Sequence, residues 1–253
     1  MQVNLKFTVR YDGTDFAGWQ VQPDQRTVQG ELERVLSQIA SQPIRITGAS
    51  RTDAGVHALG QVFSCHWPRA AEPQRLAKAL SKMLRPEIRI ENAEEAPPEF
   101  DARKSARGKR YAYTLSLTPH ADPFSARYAW HVPWPVDVER LAALARRFEG
   151  EHDFAGLQAG GAAPTRTTVR TLHSVRVREG GTVGPCDAKG LFHIEFHGDG
   201  FLYKMIRNVT GTLVDSARGI VPEGHIDELL VSPGPYHGHT APPHGLTLLE
   251  VEY

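Results

Sequence analysis

The sequence predicts an α+β protein of two tandem ferredoxin-like units, each running β-α-β-β-α-β, with antiparallel sheets backed by helices. Three observations predict it. Period-two alternation opens each half, with Val3, Leu5, Phe7, Val9 and Tyr11 in the first and Tyr111, Tyr113, Leu115 and Leu117 in the second. The succession of strand-like and helix-like periods then repeats. A Pro/Glu-rich stretch from Ala93 to Arg107 separates the copies, which puts the units at 1–104 and 105–253.

In the first half, Asp12-Gly13 ends the opening strand as a turn. Thr27 is a good N-cap for a helix with Val28, Leu32, Val35, Leu36 and Ile39 on one face. Ile44 to Thr47 and Gln61 to Trp67 read as strands on either side of a short polar loop. Pro73 opens a second helix with Leu76, Leu80, Met83 and Leu84 inward, and Pro86 stops it. Ile88 and Ile90 mark the fourth strand.

In the second half, Asp137 caps a helix with Leu141, Leu144, Ala145 and Phe148 inward. A strand follows from about Thr168 to Arg178, and Phe192, Ile194 and Phe196 alternate in the next. Gly198-Asp-Gly200 turns into a helix bearing Leu202, Met205, Ile206, Val209 and Leu213. A short helix near Ile226 to Val231 and a strand from Leu246 to Tyr253 complete the plan.

The totals fit a globular protein: 253 residues, 40% hydrophobic and 23% charged. No window approaches the roughly 18 consecutive apolar residues of a membrane helix. The start, MQVNLKFTVR, lacks the apolar core of a signal peptide. Cys65 and Cys186 lie far apart, outside any CxxC pattern, which favours a reducing compartment. The expectation is a cytoplasmic protein with no membrane association.

Net charge is zero, 29 basic against 29 acidic residues, but the charges are not evenly spread. Arg69, Arg75, Lys78, Lys82, Arg85 and Arg89 cluster, as do Arg103, Lys104, Arg107, Lys109 and Arg110, while Glu91, Glu94, Glu95 and Glu99 concentrate acid. Such polarity suits phosphates, although a solvated helix face and a basic loop would have the same composition. His237, His239 and His244 lack a matching carboxylate or thiol pattern, so no metal is expected.

The segment Gly48-Ala-Ser-Arg-Thr-Asp-Ala-Gly-Val-His-Ala58 places one carboxylate, Asp53, on the loop of a predicted hairpin. By itself Asp-Ala-Gly is turn chemistry, with Gly taking positive φ. The whole string resembles the catalytic motif of the tRNA pseudouridine synthase A family. So do other stretches, in family order along nearly the whole chain. Tyr11-Asp-Gly-Thr-Asp-Phe-Ala-Gly-Trp-Gln-Val-Gln22 resembles the opening, and Phe100-Asp-Ala-Arg103 through Lys109-Arg-Tyr-Ala-Tyr113 the tyrosine-bearing segment. Gly200-Phe-Leu-Tyr-Lys-Met-Ile-Arg-Asn208 with Gly211-Thr-Leu213, and Ala241-Pro-Pro-His-Gly-Leu246, match the last motifs. Ser50 stands where the family usually has Gly, and Asp101 where His is common.

The resemblance implies the pseudouridine synthase fold and isomerisation of uridine to pseudouridine at positions 38, 39 and 40 in the anticodon stem-loop of tRNA. It implies Asp53 as the essential carboxylate, Arg207 as the arginine paired with it, and Tyr111 as the tyrosine that stacks on the uracil. Arg51 corresponds to an arginine that helps flip the nucleotide out. Arg103, Arg107, Lys109 and Arg110 are phosphate-contact candidates by resemblance and charge. The reaction needs no cofactor, the partner is the tRNA anticodon arm, and the enzyme is a homodimer, all by the same resemblance.

Overall fold

The computed structural model describes residues 2–161, 165–184, 186–231, 234 and 236–253, and the chain divides into two units. Unit 1 takes Met1–Arg107 and Leu248–Tyr253, and unit 2 takes Gly108–Thr247.

Unit 1 begins with β1 (Val3–Tyr11) and α1 (Val28–Ala40). The Thr27 side chain caps α1 by accepting from Gly30 N–H. Then come β2 (Thr47–Gly48), β3 (His57–Trp67), α2 (Pro73–Leu84) and β4 (Ile88–Ala96). Strands β4, β1 and β3 lie side by side, with β2 also on β3. All these pairings are antiparallel. Phe7 lies opposite Phe63, and their rings stack 4.7 Å apart. Leu5, Phe7 and Val9 are fully buried, so one face of β1 carries the core.

Two details differ from the sequence pattern. The strand expected over Ile44 to Thr47 shrinks to Thr47–Gly48. Side chains of α1 take the upstream backbone donors: Ile44 N–H donates to Ser37 Oγ at 2.9 Å and Ile46 N–H to Glu33 Oε1 at 3.1 Å. Those amides are satisfied by a helix instead of a ladder. Met83, expected inward, is 42% exposed, because the buried arc of α2 runs through Leu76, Ala77, Leu80 and Leu84 and leaves it at the edge.

Unit 2 starts with β5 (Gly108–Ser116), β6 (Trp130–His131) and α3 (Val138–Ala145). The Asp137 carboxylate caps α3 by accepting from Arg140 N–H. There follow β7 (Gly150–Asp153), β8 (Val169–Glu179), β9 (Leu191–Gly198), α4 (Met205–Ala217) and α5 (Gly224–Val231). Strands run in the order β5-β9-β8-β7, antiparallel, and β6 pairs with β5 in parallel. Helices α3 and α4 pack on each other, α3 also on β8 and α4 on β5. The two-residue β6 and four-residue β7 are absent from the sequence expectation, being too short to show a period. The last strand, β10 (Leu246–Glu252), groups with unit 1 from Leu248 onward. Among the described residues no helix is long and apolar enough to cross a membrane.

Cys65 is buried on β3, and burial pushes its thiol up to about 12. The folded value lies above the roughly 8.5 of a free thiol. Its contribution to stability is therefore full below about pH 8.5 and is lost as pH rises toward 12. At pH 8 an alkylating reagent should modify the half-buried Cys186 and spare Cys65 until denaturant is added. Peptide mass spectrometry after alkylation reads the difference directly; rapid native labelling of Cys65 would contradict it.

Candidate active site

Asp53 sits half-buried on the loop joining β2 to β3, which pair as an antiparallel hairpin. The loop backbone is held residue by residue. Thr52 C=O accepts from Trp19 N–H at 3.0 Å, and Asp53 C=O accepts from Val56 N–H at 3.1 Å. The Thr52 hydroxyl is 2.7 Å from the Tyr11 hydroxyl. Gly55 has φ +78°, the conformation the Asp-Ala-Gly turn requires. So constrained a backbone fixes where the Asp53 side chain leaves the loop before any ligand arrives.

The opening segment, Tyr11 to Trp19, lies against this loop. A side chain at Gly13 would put its Cβ 2.0 Å from Val56 O, so only glycine lets the two backbones approach. Gly13 N–H donates to His57 Nδ1 at 3.1 Å. Thus the two motifs, remote in sequence, build one piece of structure.

Gln61 is a contributor that the sequence pattern did not reveal. It is fully buried within β3, where its Oε1 accepts from Ser50 N–H at 3.2 Å and its Nε2 donates to Ser50 O at 2.7 Å. One amide thereby clamps both backbone groups of Ser50. The available signal was a polar side chain at the start of an apolar strand, where burial demands partners. Gln61→Leu should leave those groups without their amide partners, costing roughly 2–4 kcal/mol. It should also lower kcat about tenfold or more by loosening the loop. Thermal unfolding and steady-state kinetics check both; wild-type values would refute the clamp.

Arg51 is exposed on the same loop, and its guanidinium is held below its usual range first by burial and then by the nearby positive charge of Arg103. Arg103 is exposed on a turn that Asp101 organises, its Oδ1 accepting from Arg103 N–H at 2.9 Å and Lys104 N–H at 2.8 Å. Arg107 is also exposed, with its N–H donating to Glu252 O at 2.8 Å. Unit 1 therefore brings Arg51 and Arg103 into electrostatic reach of each other, an arrangement that favours an anion.

Unit 2 holds the other expected residues. Tyr111 is 4% exposed on β5, opposite Phe196, and the Phe201 ring meets it edge-on at 5.2 Å. Tyr113, two residues along, is a core residue whose hydroxyl donates to Pro242 O at 2.6 Å. Burial raises the Tyr113 phenol well above its usual value, with the Arg207 charge opposing. Arg207 is half-buried on α4, a helix otherwise buried nearly all round, and its Nε donates to Ala241 O at 2.7 Å. That contact fixes the guanidinium along the Thr240–Pro242 segment.

Lys109 and Arg110 are half-buried on β5, with Arg110 3.5 Å from Glu195, which also meets Arg178 at 3.3 Å. Among the described residues no group of three or more His, Cys, Asp or Glu is placed to hold a metal ion. Asp53, Arg51, Arg103 and Arg107 thus belong to unit 1, and Lys109, Arg110, Tyr111 and Arg207 to unit 2.

The profile of the family described as tRNA pseudouridine synthase matches residues 8–103 and 144–253. The chain is 35% identical to tRNA pseudouridine synthase A of Geobacter sulfurreducens, over 98% of this chain and 99% of the relative. It is 38% identical to the tRNA pseudouridine synthase A of Latilactobacillus sakei subsp. sakei, over the full length of both. It is 39% identical to that of Methylacidiphilum infernorum, over 99% of this chain and 96% of the relative. On a profile covering both halves and relatives matched end to end, the chain belongs to the tRNA pseudouridine synthase family.

Proposed function

We propose that the uridines this isomerase converts to pseudouridine in tRNA are those at positions 38, 39 and 40 of the anticodon stem-loop. The observation that carries the proposal is the Gly48–Ala58 segment, with Asp53 on a loop braced by Trp19, Val56 and Gln61. The fold is the pseudouridine synthase fold, mixed α and β with a sheet backed by helices. Its finer description as two ferredoxin-like repeats is part of the proposal. It is supported by the order β1-α1-β2-β3-α2-β4 in unit 1 and by β5-β9-β8-β7 in unit 2.

The reaction breaks the N1–C1′ bond of uridine, turns the uracil and joins C5 to C1′. The proton on C5 leaves and N1 gains one, so atoms and electrons balance without an oxidant. Asp53 supplies the ionised carboxylate that starts the exchange, as nucleophile or as base. Arg207 serves as the cation that keeps a carboxylate charged in a partly buried setting. Tyr111 stacks on the uracil and assists loss of the C5 proton. Arg51 fills the gap left by the extruded nucleotide, an extrusion that costs a few kcal/mol. Arg103, Arg107, Lys109 and Arg110 contact phosphates. These roles rest on the motif matches, with the loop geometry as support for Asp53. The same resemblance supports a cytoplasmic homodimer whose subunits hold one tRNA together, the Asp loop coming from the N-terminal unit and the tyrosine and arginine from the C-terminal one.

Mapping carbodiimide adducts on tRNA treated with the enzyme should show pseudouridine at 38, 39 and 40 and nowhere else. Product confined to another arm would overturn the assignment, and free uracil would mean a hydrolase. Affinity for tRNA should fall steeply with salt, with a slope of about 0.7–0.9 in log K per phosphate neutralised. A flat salt response would remove the phosphate contacts from the scheme.

A further inference from the structure

Unit 2 presents one aromatic side chain in a setting that packing does not explain. Tyr203 is 41% exposed, two residues from Phe201, whose ring meets Tyr111. Its backbone is nonetheless fixed. Leu202 on one side is buried, Tyr203 C=O accepts from Ala159 N–H at 3.1 Å, and Lys204 C=O accepts from Asn208 N–H at 2.9 Å.

The next residue is strained. Lys204 has φ 57° and ψ 8°, the left-handed region, at the N-cap of α4, where its side chain makes no cap hydrogen bond. Glycine or asparagine would fit this position more easily. A lysine held there gains nothing for the helix, and such outliers cluster where a ligand is gripped. The consequence is visible in the side chain: Lys204 Nζ lies over the Tyr203 ring, 5.0 Å from its centroid. The cation covers one face of the ring. Among the described residues no other ring or cation is stacked on Tyr203.

We propose that Tyr203 is a stacking platform for an unpaired base next to the target uridine, and that Lys204 contacts the phosphate of that nucleotide. The inference rests on the reading of Tyr111 as the uracil-stacking tyrosine. Phe201, whose ring meets Tyr111, lies two residues before Tyr203, which puts the exposed ring on the same turn as a neighbour of the uracil-stacking tyrosine. Stacking on a rigid aromatic with a cation beside the backbone is how proteins hold single-stranded nucleotides without reading their identity.

The test measures affinity for two RNAs of equal length and charge, an anticodon-arm hairpin and a fully paired duplex, by fluorescence anisotropy. Tyr203→Ala should weaken hairpin binding roughly 5- to 100-fold and leave duplex binding unchanged, because only an unpaired base can stack. Tyr203→Phe should restore the hairpin value within about twofold. Lys204→Gly relieves the strained conformation, so its Tm should be equal or higher, while hairpin affinity falls and the salt slope drops by about one. A merely structural turn predicts the reverse, a lower Tm with binding intact, and that result overturns the proposal. So does a Tyr203→Ala protein that binds both RNAs like wild type, or loses both equally. Failure of the Tyr111 reading has a different signature, full tritium release from C5-labelled tRNA by Tyr111→Ala, which removes the stacking ring. It would take the uracil away from Tyr111 and overturn this inference with it.

Discussion

Asp53→Asn is expected to lower kcat for pseudouridine formation by roughly 10⁴-fold or more, with tRNA affinity within a few-fold of wild type. The two side chains have nearly the same shape, and the substitution leaves in place the backbone bonds and the Tyr11–Thr52 hydroxyl contact that brace the loop. Thr52 C=O still accepts from Trp19, Asp53 C=O from Val56, and Gln61 still clamps Ser50. What disappears is the negative charge, and with it the group that attacks or deprotonates the sugar or base. Tritium release from tRNA labelled at uridine C5, measured beside tRNA binding, separates chemistry from recognition. Release within tenfold of wild type would remove Asp53 from the chemistry. Lost release together with lost binding would place it in recognition instead.

Much of the scaffold around Asp53 was legible because local rules and tertiary packing agree there. Thr27 and Asp137 announce helix starts, and both side chains accept the expected backbone N–H. The alternation of Val3 to Tyr11 marks a strand whose inward residues from Leu5 to Tyr11 are fully buried or nearly so. Ile44 to Ile46 misled because apolar alternation cannot reveal that Ser37 and Glu33, on a helix earlier in the chain, take the amides. Glu33 is 6% exposed, an acid placed in the interior for that purpose, and helical periodicity alone would have turned it outward. The loop itself was less legible from single residues. Asp-Ala-Gly reads as a turn, and Gly55 does adopt positive φ. That the turn is braced by Tyr11, Gly13 and Trp19 depends on approaches between segments some forty positions apart, which no local pattern encodes. Only the motif resemblance tied those segments together in advance. Gln61 escaped for the converse reason, since a lone glutamine in a strand gives no hint of what it clamps.

Gly211→Ala should unfold or severely destabilise unit 2, by about 3–5 kcal/mol, despite a helix propensity that favours alanine by about 1 kcal/mol. The opposing term is steric. A Cβ at Gly211 would lie 1.7 Å from His239 O and 2.8 Å from His239 C, both backbone atoms with no rotamer to yield. The segment from His239 to Ala241 is tied along α4: Ala241 N–H donates to Arg207 O at 3.1 Å, Arg207 Nε to Ala241 O at 2.7 Å, and the Thr240 hydroxyl to Asn208 Oδ1 at 2.7 Å. Making room for one methyl group means lifting that segment and breaking these bonds, among them the Arg207 Nε bond to Ala241 O. At roughly 2–4 °C per kcal/mol for a unit of this size, Tm should fall by about 6–20 °C. Any protein that still folds should show a lower kcat, because the Ala241 anchor of Arg207 is lost. Gly224→Ala is the control, since a Cβ there meets nothing within 4 Å at the start of α5, and its Tm should stay level or rise slightly. An unchanged Tm for Gly211→Ala would mean that the His239–Ala241 segment moves aside freely, and the anchoring of Arg207 through Ala241 would then have to be abandoned.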